Sequence, residues 1–304
     1  METMRDIKIR IKSINSTRKI TESMRLISTR KVQKTKLRRE ANLPYFEQAV
    51  KIISGVCEDS DFAGHAYIAG HKDKLKEPEK SKKSLVIVIN GDRGLCGGYL
   101  VNVRKKAQEI TARIGDSKRK LVDIISVGTK MQNAFRRDNE RVVSAFKGLS
   151  ENPFYGDAQS IGADAIKLYE NGEINQVYLV YTKYETMLTQ TPKYVRLLPL
   201  DTAEIKEDAK ELKIKSSDAV LNCESGKEAF FKYAVSTYIY SKIFEGMLDS
   251  AVCEQCARLT GMDSAVKNSE KIMDSLAMKY NQMRQSAITQ EIAEIVGGAN
   301  AVEK

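Results

Sequence analysis

Residues 259–287 read LTGMDSAVKNSEKIMDSLAMKYNQMRQSA, and the spacing of their apolar side chains decides the fold. The seam positions alternate strictly between steps of three and four, with Ser269 as the one interruption: Leu259, Met262, Val266, Ser269, Met273, Leu276, Tyr280, Met283 and Ala287. Such alternation is typical of a coiled coil, whose seam needs a partner helix. We expect one helix over residues 224–296, on the order of 100 Å long at 1.5 Å per residue. Its many charged residues exclude a membrane span.

The partner helix is expected at the N-terminus. Apolar residues recur there at helical spacing, and Thr17 bridges a gap between them: Met4, Ile7, Ile11, Ile14, Ile20, Met24 and Ile27. Pro44 indicates a bend, or the end of this first helix near Asn42, because proline breaks the helical hydrogen-bond ladder. Residues 46–56 then resume an amphipathic pattern.

The middle of the chain alternates strand and helix patterns. Ser84–Asn90 reads SLVIVIN, an aliphatic run of the kind that is buried on both faces of a parallel sheet. The glycine-rich turn GDRGLCGG follows at residues 91–98. The later predicted elements are helix 99–114, strand 121–127, helix 129–137, strand 141–146, helix 158–171, strand 176–182 and a hairpin of strands 184–191 and 193–200. This alternation predicts a small α/β domain with a partly parallel sheet.

The predicted fold class is therefore α/β, with a long antiparallel coiled coil of N- and C-terminal helices plus a small Rossmann-like α/β domain. Residues 201–222 are charged without a firm pattern, and we interpret them as a surface connection. The predicted organisation is an N-terminal coiled-coil helix at 1–60, a linker at 61–83, the α/β domain at 84–222 and a C-terminal coiled-coil helix at 223–304.

The net charge of +10 is concentrated at the N-terminus. Residues 1–40 contain thirteen Lys or Arg and four acids, which leaves +9. Nucleic acid, an anionic membrane and acidic protein loops could each bind such a surface. Residues 1–44 contain no aromatic side chain to stack on bases or to anchor in a membrane. Acidic protein loops remain, beside the simpler interpretation of a solvated face that keeps a long helix soluble.

Catalytic signals are weak. The turn at 91–98 matches neither nucleotide-binding glycine pattern, so a structural role for its glycines is favoured over phosphate binding. Cys253 and Cys256 have CxxC spacing but lie mid-helix without a second ligand pair, which favours small core residues over a redox or zinc site. The only histidines, His65 and His71, lie in a weakly patterned segment. We expect no catalytic residue, cofactor or metal, and five cysteines without a framework favour a reducing cytoplasm.

Three separate motifs occur along the chain. The N-terminal helix contains TRKITESM at 17–24, the α/β region contains DRGLCGG at 92–98, and the end contains YNQMRQSAITQEI at 280–292. In this order the motifs resemble the gamma subunit of F-type ATP synthases, the central stalk of that rotary motor, and the resemblance covers the whole chain. Residues 190–192 (QTP) and 197–200 (LLPL) are similar to the family's later strand pair.

The resemblance implies a rotor that couples proton or sodium flow to ATP synthesis or hydrolysis without binding ATP itself. It implies the alpha and beta subunits of the catalytic ring, the epsilon subunit and the c-subunit ring as partners, and no nucleic acid. By position, five residues match contacts with the ring's acidic loops or bearing surface: Met24, Lys31, Arg284, Gln285 and Thr289. Independently of the resemblance, Arg93 and Asp92 are expected to be exposed enough in the turn at 91–98 to contact a neighbouring subunit. The implied location is the cytoplasmic face of a bacterial membrane, reached only through partners, and the absence of an Arg- and Ser-rich leader before the first helix favours a bacterial origin.

Two other function classes stay open at this point. A basic coiled coil could bind nucleic acid through the N-terminal +9 segment, with an affinity that falls steeply with salt. A nucleotide-binding enzyme could use the turn at 91–98. Each makes a binding prediction that the isolated chain can test.

Overall fold

A computed structural model describes residues 3–58, 60–70, 83–115, 122–137, 141–214 and 226–302. Predictions that concern His71, Cys223, residues 71–82 or residues 215–222 lie outside them. The helices are α1 (Met4–Glu58), α2 (Ala66–Ala69), α3 (Tyr99–Gly115), α4 (Thr129–Arg137), α5 (Tyr155–Glu170), α6 (Thr202–Glu211) and α7 (Lys227–Val302), with a 3-10 turn at Ser60–Phe62. The strands are β1 (Ser84–Ile89), β2 (Val122–Val127), β3 (Arg141–Phe146), β4 (Gln176–Tyr184) and β5 (Gln190–Leu198).

The chain divides into two compact units. Unit 1 contains Met1–Arg30 and Arg258–Lys304, and unit 2 contains Lys31–Ala257. Helices α1 and α7 each contribute residues to both units. No helix among the described residues is both long and apolar enough to cross a bilayer.

Unit 1 is an antiparallel pair of helices. Arg18 Nη1 of α1 lies 3.5 Å from Glu270 Oε1 of α7. Seven residues further along α1, Arg25 interacts electrostatically with Asp263, which lies seven residues earlier on α7. Because the numbers rise on one helix as they fall on the other, the two helices run in opposite directions. The predicted antiparallel pairing of the two ends of the chain is confirmed.

The seam predicted for α7 is confirmed position by position. Among the described residues between Lys267 and Val296, the only ones that are buried or half-buried are six seam positions: Ser269, Met273, Leu276, Tyr280, Met283 and Ala287. Met262, Val266 and Leu276 are buried. From Ile288 to Val296 every described side chain is exposed, so the paired part of α7 ends near Ala287.

The stripe predicted for α1 is wrong at three positions after Ile14, although Met24 is half-buried as predicted. Ile20 and Ile27 are 63% and 56% exposed, and Thr17 is exposed as well. A strict alternation of steps of three and four from Met4 instead passes only through protected positions, which become polar halfway along the helix: Met4, Ile7, Ile11 and Ile14, then Arg18, Thr21, Arg25 and Ser28. The reason is geometric, since a residue's place in a coiled-coil seam is set by its phase on the helix and not by its hydrophobicity.

Unit 2 is built on a five-stranded sheet with the order β3-β2-β1-β4-β5. The first four strands in this order are parallel, and β5 pairs antiparallel with β4. Strand β1 is central and buried along its whole length, as its aliphatic sequence predicts. The carboxyl ends of β1, β2, β3 and β4 therefore lie at one edge of the sheet.

Helices cover both faces of this sheet. Alternate β1 residues pack to opposite sides, with Leu85, Ile87 and Ile89 in one apolar core and Val86 and Val88 in the other. The first core is completed by the unit 2 parts of α1 and α7 together with α5, and the second mainly by α3 and α4. The predicted combination of long terminal helices with a Rossmann-like α/β region is confirmed.

Three local predictions need correction. Helix α1 does not end near Asn42 but continues through Pro44 to Glu58, because the next turns bury Phe46, Val50 and Ile53 in the core. The hairpin consists of β4 and β5, so the separate strand expected before it is its first arm. The segment expected as a surface connection contains α6, which begins after the N-cap Asp201 and buries Ile205.

Candidate subunit-contact surfaces

The turn after β1 is a rigid structure at the carboxyl edge of the sheet. Leu95 has φ +62° and Gly97 has φ +53°, so two residues of the turn adopt the left-handed backbone that a non-glycine residue rarely takes. Leu95 nevertheless exposes 64% of its surface. A strained backbone that presents an apolar side chain to solvent is a feature that functional turns share.

Asp92, expected to be an exposed contact, is half-buried and instead holds this turn in place. Its Oδ1 accepts hydrogen bonds from the backbone N (2.9 Å) and the hydroxyl (2.7 Å) of Thr129, the first residue of α4. Its Oδ2 accepts one from the backbone N of Ser150 at 3.2 Å, and its own backbone N donates to Ser150 Oγ at 3.1 Å. Although burial opposes ionisation, hydrogen bonds from Thr129, Gly148 and Ser150 hold the pKa of Asp92 below its usual value. The turn and the segment after β3 are thereby tied together.

Two of the predicted contact residues meet on one carboxylate. Lys31 Nζ of α1 lies 2.9 Å from Glu151 Oε2, and Arg93 Nη1 of the turn lies 3.4 Å from Glu151 Oε1. The Arg93 side chain remains 69% exposed. Glu151 therefore positions both cations at the carboxyl edge while leaving the guanidinium open to a partner.

A third cation extends this surface. Arg38 Nη1 donates to Asn152 Oδ1 at 2.7 Å, and its Nη2 donates to the Pro153 carbonyl at 2.6 Å. The same guanidinium lies 5.7 Å from the centre of the exposed Phe154 ring. We call Lys31, Arg38, Arg93, Leu95 and Phe154 the edge patch. It combines fixed positive charge with exposed apolar groups, a combination that suits an acidic, partly apolar protein segment.

The remaining predicted contacts lie in unit 1. Met24 is half-buried, whereas Arg284, Gln285 and Thr289 are exposed. Met24 is one position from Arg25, which interacts with Asp263. About twenty residues of α7, or about 30 Å, therefore separate Met24 from Arg284. These residues form two separate positions along the helix pair, and Lys31 and Arg93 belong to unit 2.

The end of α7 carries an exposed apolar stripe. Ile288, Ile292, Ile295 and Val296 expose about half of their surface or more. They recur at steps of four, three and one, which places them on one side of the helix. This stripe begins where the seam ends, next to Arg284, Gln285 and Thr289.

The crevice where a doubly wound sheet would bind a nucleotide is filled by the chain itself. The strand order reverses between β1 and β4, and the turn at 91–98 lies at this reversal. Helix α7 crosses it, and a Cβ placed on Gly91 would meet the Glu254 carboxylate at 3.0 Å. A carboxylate of α7 thus lies against the glycine that a phosphate would approach in a nucleotide-binding relative of this fold.

The CxxC pair contributes no reactive thiol. Cys253 and Cys256 are fully buried in α7, and Cys253 Sγ lies 3.7 Å from the Thr182 carbonyl. Burial raises the pKa of both thiols. Since the thiolate is the reactive form, these cysteines are core residues, as the favoured interpretation of the sequence predicts.

Sequence reasoning missed several residues of the edge patch and its support. Glu151 and Phe154 drew no attention, since their segment has no regular period. Arg38 was counted only as one of the basic residues of the N-terminal helix. One signal was available: Pro153, with Asn152 before it, marks a turn directly after a predicted strand. Such turns meet at the carboxyl edge of a parallel sheet, where the turn at 91–98 was already placed.

Comparison with known proteins adds the family. The sequence model of the ATP synthase family, described as "ATP synthase", matches residues 3–302. The sodium ion specific ATP synthase gamma chain of Acetobacterium woodii is 36% identical over 312 residues, which cover 99% of each chain. The ATP synthase gamma chain of Alkaliphilus metalliredigens is 37% identical over 300 residues, again 99% of each chain.

A similar fold occurs in a solved structure. A chain in the cryo-EM structure of the Euglena gracilis mitochondrial ATP synthase, which contains OSCP, F1 and the c-ring in rotational state 3, aligns with a TM-score of 0.64. The alignment covers 98% of this chain and 94% of that one at 15% identity, so it bears on the fold alone.

Proposed function

The chain belongs to the ATP synthase gamma-chain family, and we propose that it acts as the rotary central stalk of an F-type ATP synthase. The chain is a non-catalytic subunit of that complex. Its role is to couple proton or sodium flow through a membrane ring to ATP synthesis or hydrolysis in a catalytic ring of alpha and beta subunits.

The observation that carries this proposal is the antiparallel pairing of the two ends of the chain in unit 1. The pair exposes most of its side chains, and its buried residues are confined to one seam. A surface of this kind offers long, chemically different faces to surrounding subunits. Rotation would present those faces in turn to each catalytic site and so impose different nucleotide affinities.

The edge patch supports a contact with acidic loops of the ring. Lys31 and Arg93 are held by Glu151 but keep substantial exposure, so they can exchange one acidic partner for another at little cost. Leu95 and Phe154 add apolar area to the same contact. In unit 1 we assign Met24 to a second contact with the ring, and Arg284, Gln285 and Thr289 to a third near the end of α7.

The remaining partners are assigned to unit 2. We propose that its α/β region contacts the epsilon subunit and the c-subunit ring, and that the chain is held peripherally at the cytoplasmic face of a bacterial membrane by these partners. We keep in this proposal the predicted division of the chain into an N-terminal helix to residue 60, a linker to residue 83, an α/β domain to residue 222 and a C-terminal helix. The nucleic-acid alternative gains no support from the relatives, which are ATP synthase chains.

Reconstitution tests this function directly. The chain is co-expressed with alpha and beta subunits and purified, and ATP hydrolysis is measured with and without it. We expect a stable complex whose hydrolysis rate depends on the chain. A chain that elutes alone, with unchanged hydrolysis by the other subunits, would contradict the proposal.

The edge patch is tested in the complete membrane-bound enzyme. The double variant Lys31→Gln with Arg93→Gln removes two charges. Exposed pairs contribute up to about 1 kcal/mol each, so the contact should weaken by up to about thirtyfold, and ion transport per ATP hydrolysed should fall. Lys105→Gln is the matched control, because Lys105 is an exposed cation of α3. Equal losses in both variants would show that overall charge, and not the edge patch, sets coupling.

A further inference from the structure

Unit 2 contains a buried charge cluster that the stalk function does not explain. It joins three helices through Arg39 of α1, Asp208 of α6, and Lys242, Glu245 and Asp249 of α7. The Lys242 and Asp249 side chains are 2% and 1% exposed. Ionised groups this deeply buried are stable only when their charges are compensated.

The pairing inside the cluster is unequal. Lys242 Nζ donates to Asp208 Oδ1 at 2.6 Å and to Oδ2 at 2.5 Å, and it lies 3.9 Å from Glu245 Oε2. Arg39 Nε donates a short hydrogen bond to Asp249 Oδ1, and the backbone N of Tyr184 donates to Asp249 Oδ2 at 3.2 Å. Each cation thus has its closest carboxylate in an aspartate. Glu245 has the weakest compensation of the three acids.

The charge count makes this inequality consequential. Three carboxylates and two cations leave one negative charge in excess if all five groups are ionised. A buried excess charge is removed most readily by taking up a proton. Protonating Glu245 sacrifices the least ion-pair energy, because its carboxylate lies farthest from its cation, at 3.9 Å from Lys242.

Among the described residues, the neighbouring elements add no net positive charge. Glu204 and Glu211 of α6 pair with Lys193 of β5 and Lys183 of β4, at 3.7 and 2.5 Å, so these peripheral pairs are neutral in sum. Three further titratable groups that act on the cluster are neutral at physiological pH: Tyr181 of β4, and Tyr238 and Cys253 of α7.

We propose that this cluster is a proton-binding site in which Glu245 carries one exchangeable proton, so that the junction of α1, α6 and α7 is tighter with the proton bound than without it. The Glu245 side chain is 15% exposed, which gives the proton a route to solvent. The site requires only the chain itself and does not depend on the stalk function.

Electrostatics agrees with this geometry. Burial raises the pKa of Glu245 to about 7; Asp249 and Asp208 add to the rise, whereas Lys242 and Arg39 oppose it. A raised native pKa means that the native protein holds a proton that the unfolded chain has released. The resulting stability is fully present below the unfolded pKa, about 4.3, and is lost as pH rises through about 7.

The first test is spectroscopic and uses the full chain. Infrared difference spectra between about pH 5.5 and about pH 8.5 should show the band of a protonated carboxyl that is lost near pH 7. The isosteric variant Glu245→Gln should lack this band. Glu211→Gln is the control and should keep it, because Glu211, which lies on α6 like Asp208, pairs directly with Lys183 of β4 and stays ionised. A band that survives in Glu245→Gln, or none in the unmodified chain, would overturn the assignment.

The second test measures unfolding in denaturant across the same pH range. The ratio of the folding constant of Glu245→Gln to that of the unmodified chain should rise with pH, by up to about tenfold per unit, and level off above about pH 7. The ratio for Glu211→Gln should stay flat above about pH 5. A flat ratio for Glu245→Gln would show that no proton is bound there on folding, whatever the outcome of reconstitution with the ring.

Discussion

The two units are held together in different ways, and the difference decides how each responds to change. Unit 1 repeats one contact along a seam, where the period of the helix determines which residues are buried. Unit 2 has two apolar cores, and its segments are also joined by individual polar contacts, such as those of Asp92, Glu151 and Lys242, each with its own partner. Substitution effects should therefore follow position in unit 1 and partner chemistry in unit 2.

The largest effect is expected in unit 2, at Lys242. Lys242→Met leaves Asp208 buried without its cation and should lower the free energy of unfolding by about 3–5 kcal/mol. Chemical denaturation measures this loss. Adding Asp208→Leu should recover most of it, and Lys232→Met, which breaks an exposed pair with Glu228, should leave stability unchanged. Equal losses of unfolding free energy in the Lys242 and Lys232 variants would show that the buried pair contributes no more than an exposed one.

The next effect belongs to the seam of unit 1. Leu276→Asp places a charge between the helices and should cost about 2–4 kcal/mol, with dissociation of the helix pair seen as a loss of helical circular dichroism. Met278→Asp, two residues away and 68% exposed, is the control. If both changes were equally harmful, position in the seam would not govern unit 1.

Asp92 gives a smaller effect with a pH signature. Asp92→Asn weakens the hydrogen bonds to Thr129 and Ser150 and should cost about 1–2 kcal/mol at neutral pH. Because the native pKa of Asp92 is lowered, its stabilisation is present above the unfolded pKa, about 3.9, and is lost as pH falls through the native value. Denaturation midpoints of the two proteins should thus converge in acid. A constant gap would assign the loss to shape rather than charge.

The smallest effect is expected at the polar half of the coil. Glu270→Gln removes the partner of Arg18. It should change the free energy of unfolding by less than about 1 kcal/mol, since the Arg18 and Glu270 side chains are 32% and 50% exposed and their pair is screened by water. The difference should vanish at high salt. A larger loss of unfolding free energy that does not depend on salt would show that the Arg18–Glu270 pair stabilises the coil through its specific partner, as the polar contacts of unit 2 do.

The sequence predicted the α7 seam correctly, but of the α1 positions predicted after Ile14 only Met24 is protected. Strict alternation of three and four from Met4 leads to Arg18, Thr21, Arg25 and Ser28, so the seam could have been found by keeping the period. The prediction instead followed the isoleucines at 20 and 27, which are exposed. Hydrophobicity identified the helix, whereas its phase identified the buried face.

In unit 2, the local sequence predicted β1 and β2, whose aliphatic runs are buried, and also the more exposed strand β3 and the glycine-rich strand-to-helix turn. Helix α6 was missed, since its position depends on the Asp208–Lys242 pair and on burial of Ile205. The meeting of Lys31 and Arg93 on Glu151 was also beyond reach. It joins three segments that are distant along the chain, and no local pattern encodes such a meeting.

The carboxylate of Glu254 beside Gly91 has a consequence for the whole assembly. A tethered group acts at an effective concentration that no free metabolite can outcompete easily. Changes in the cellular ATP concentration should therefore not alter the occupancy of this crevice, even though related folds bind dinucleotides at the corresponding place. A stalk subunit that does not bind ATP in this crevice should transmit torque equally well at high and at low cellular ATP concentration.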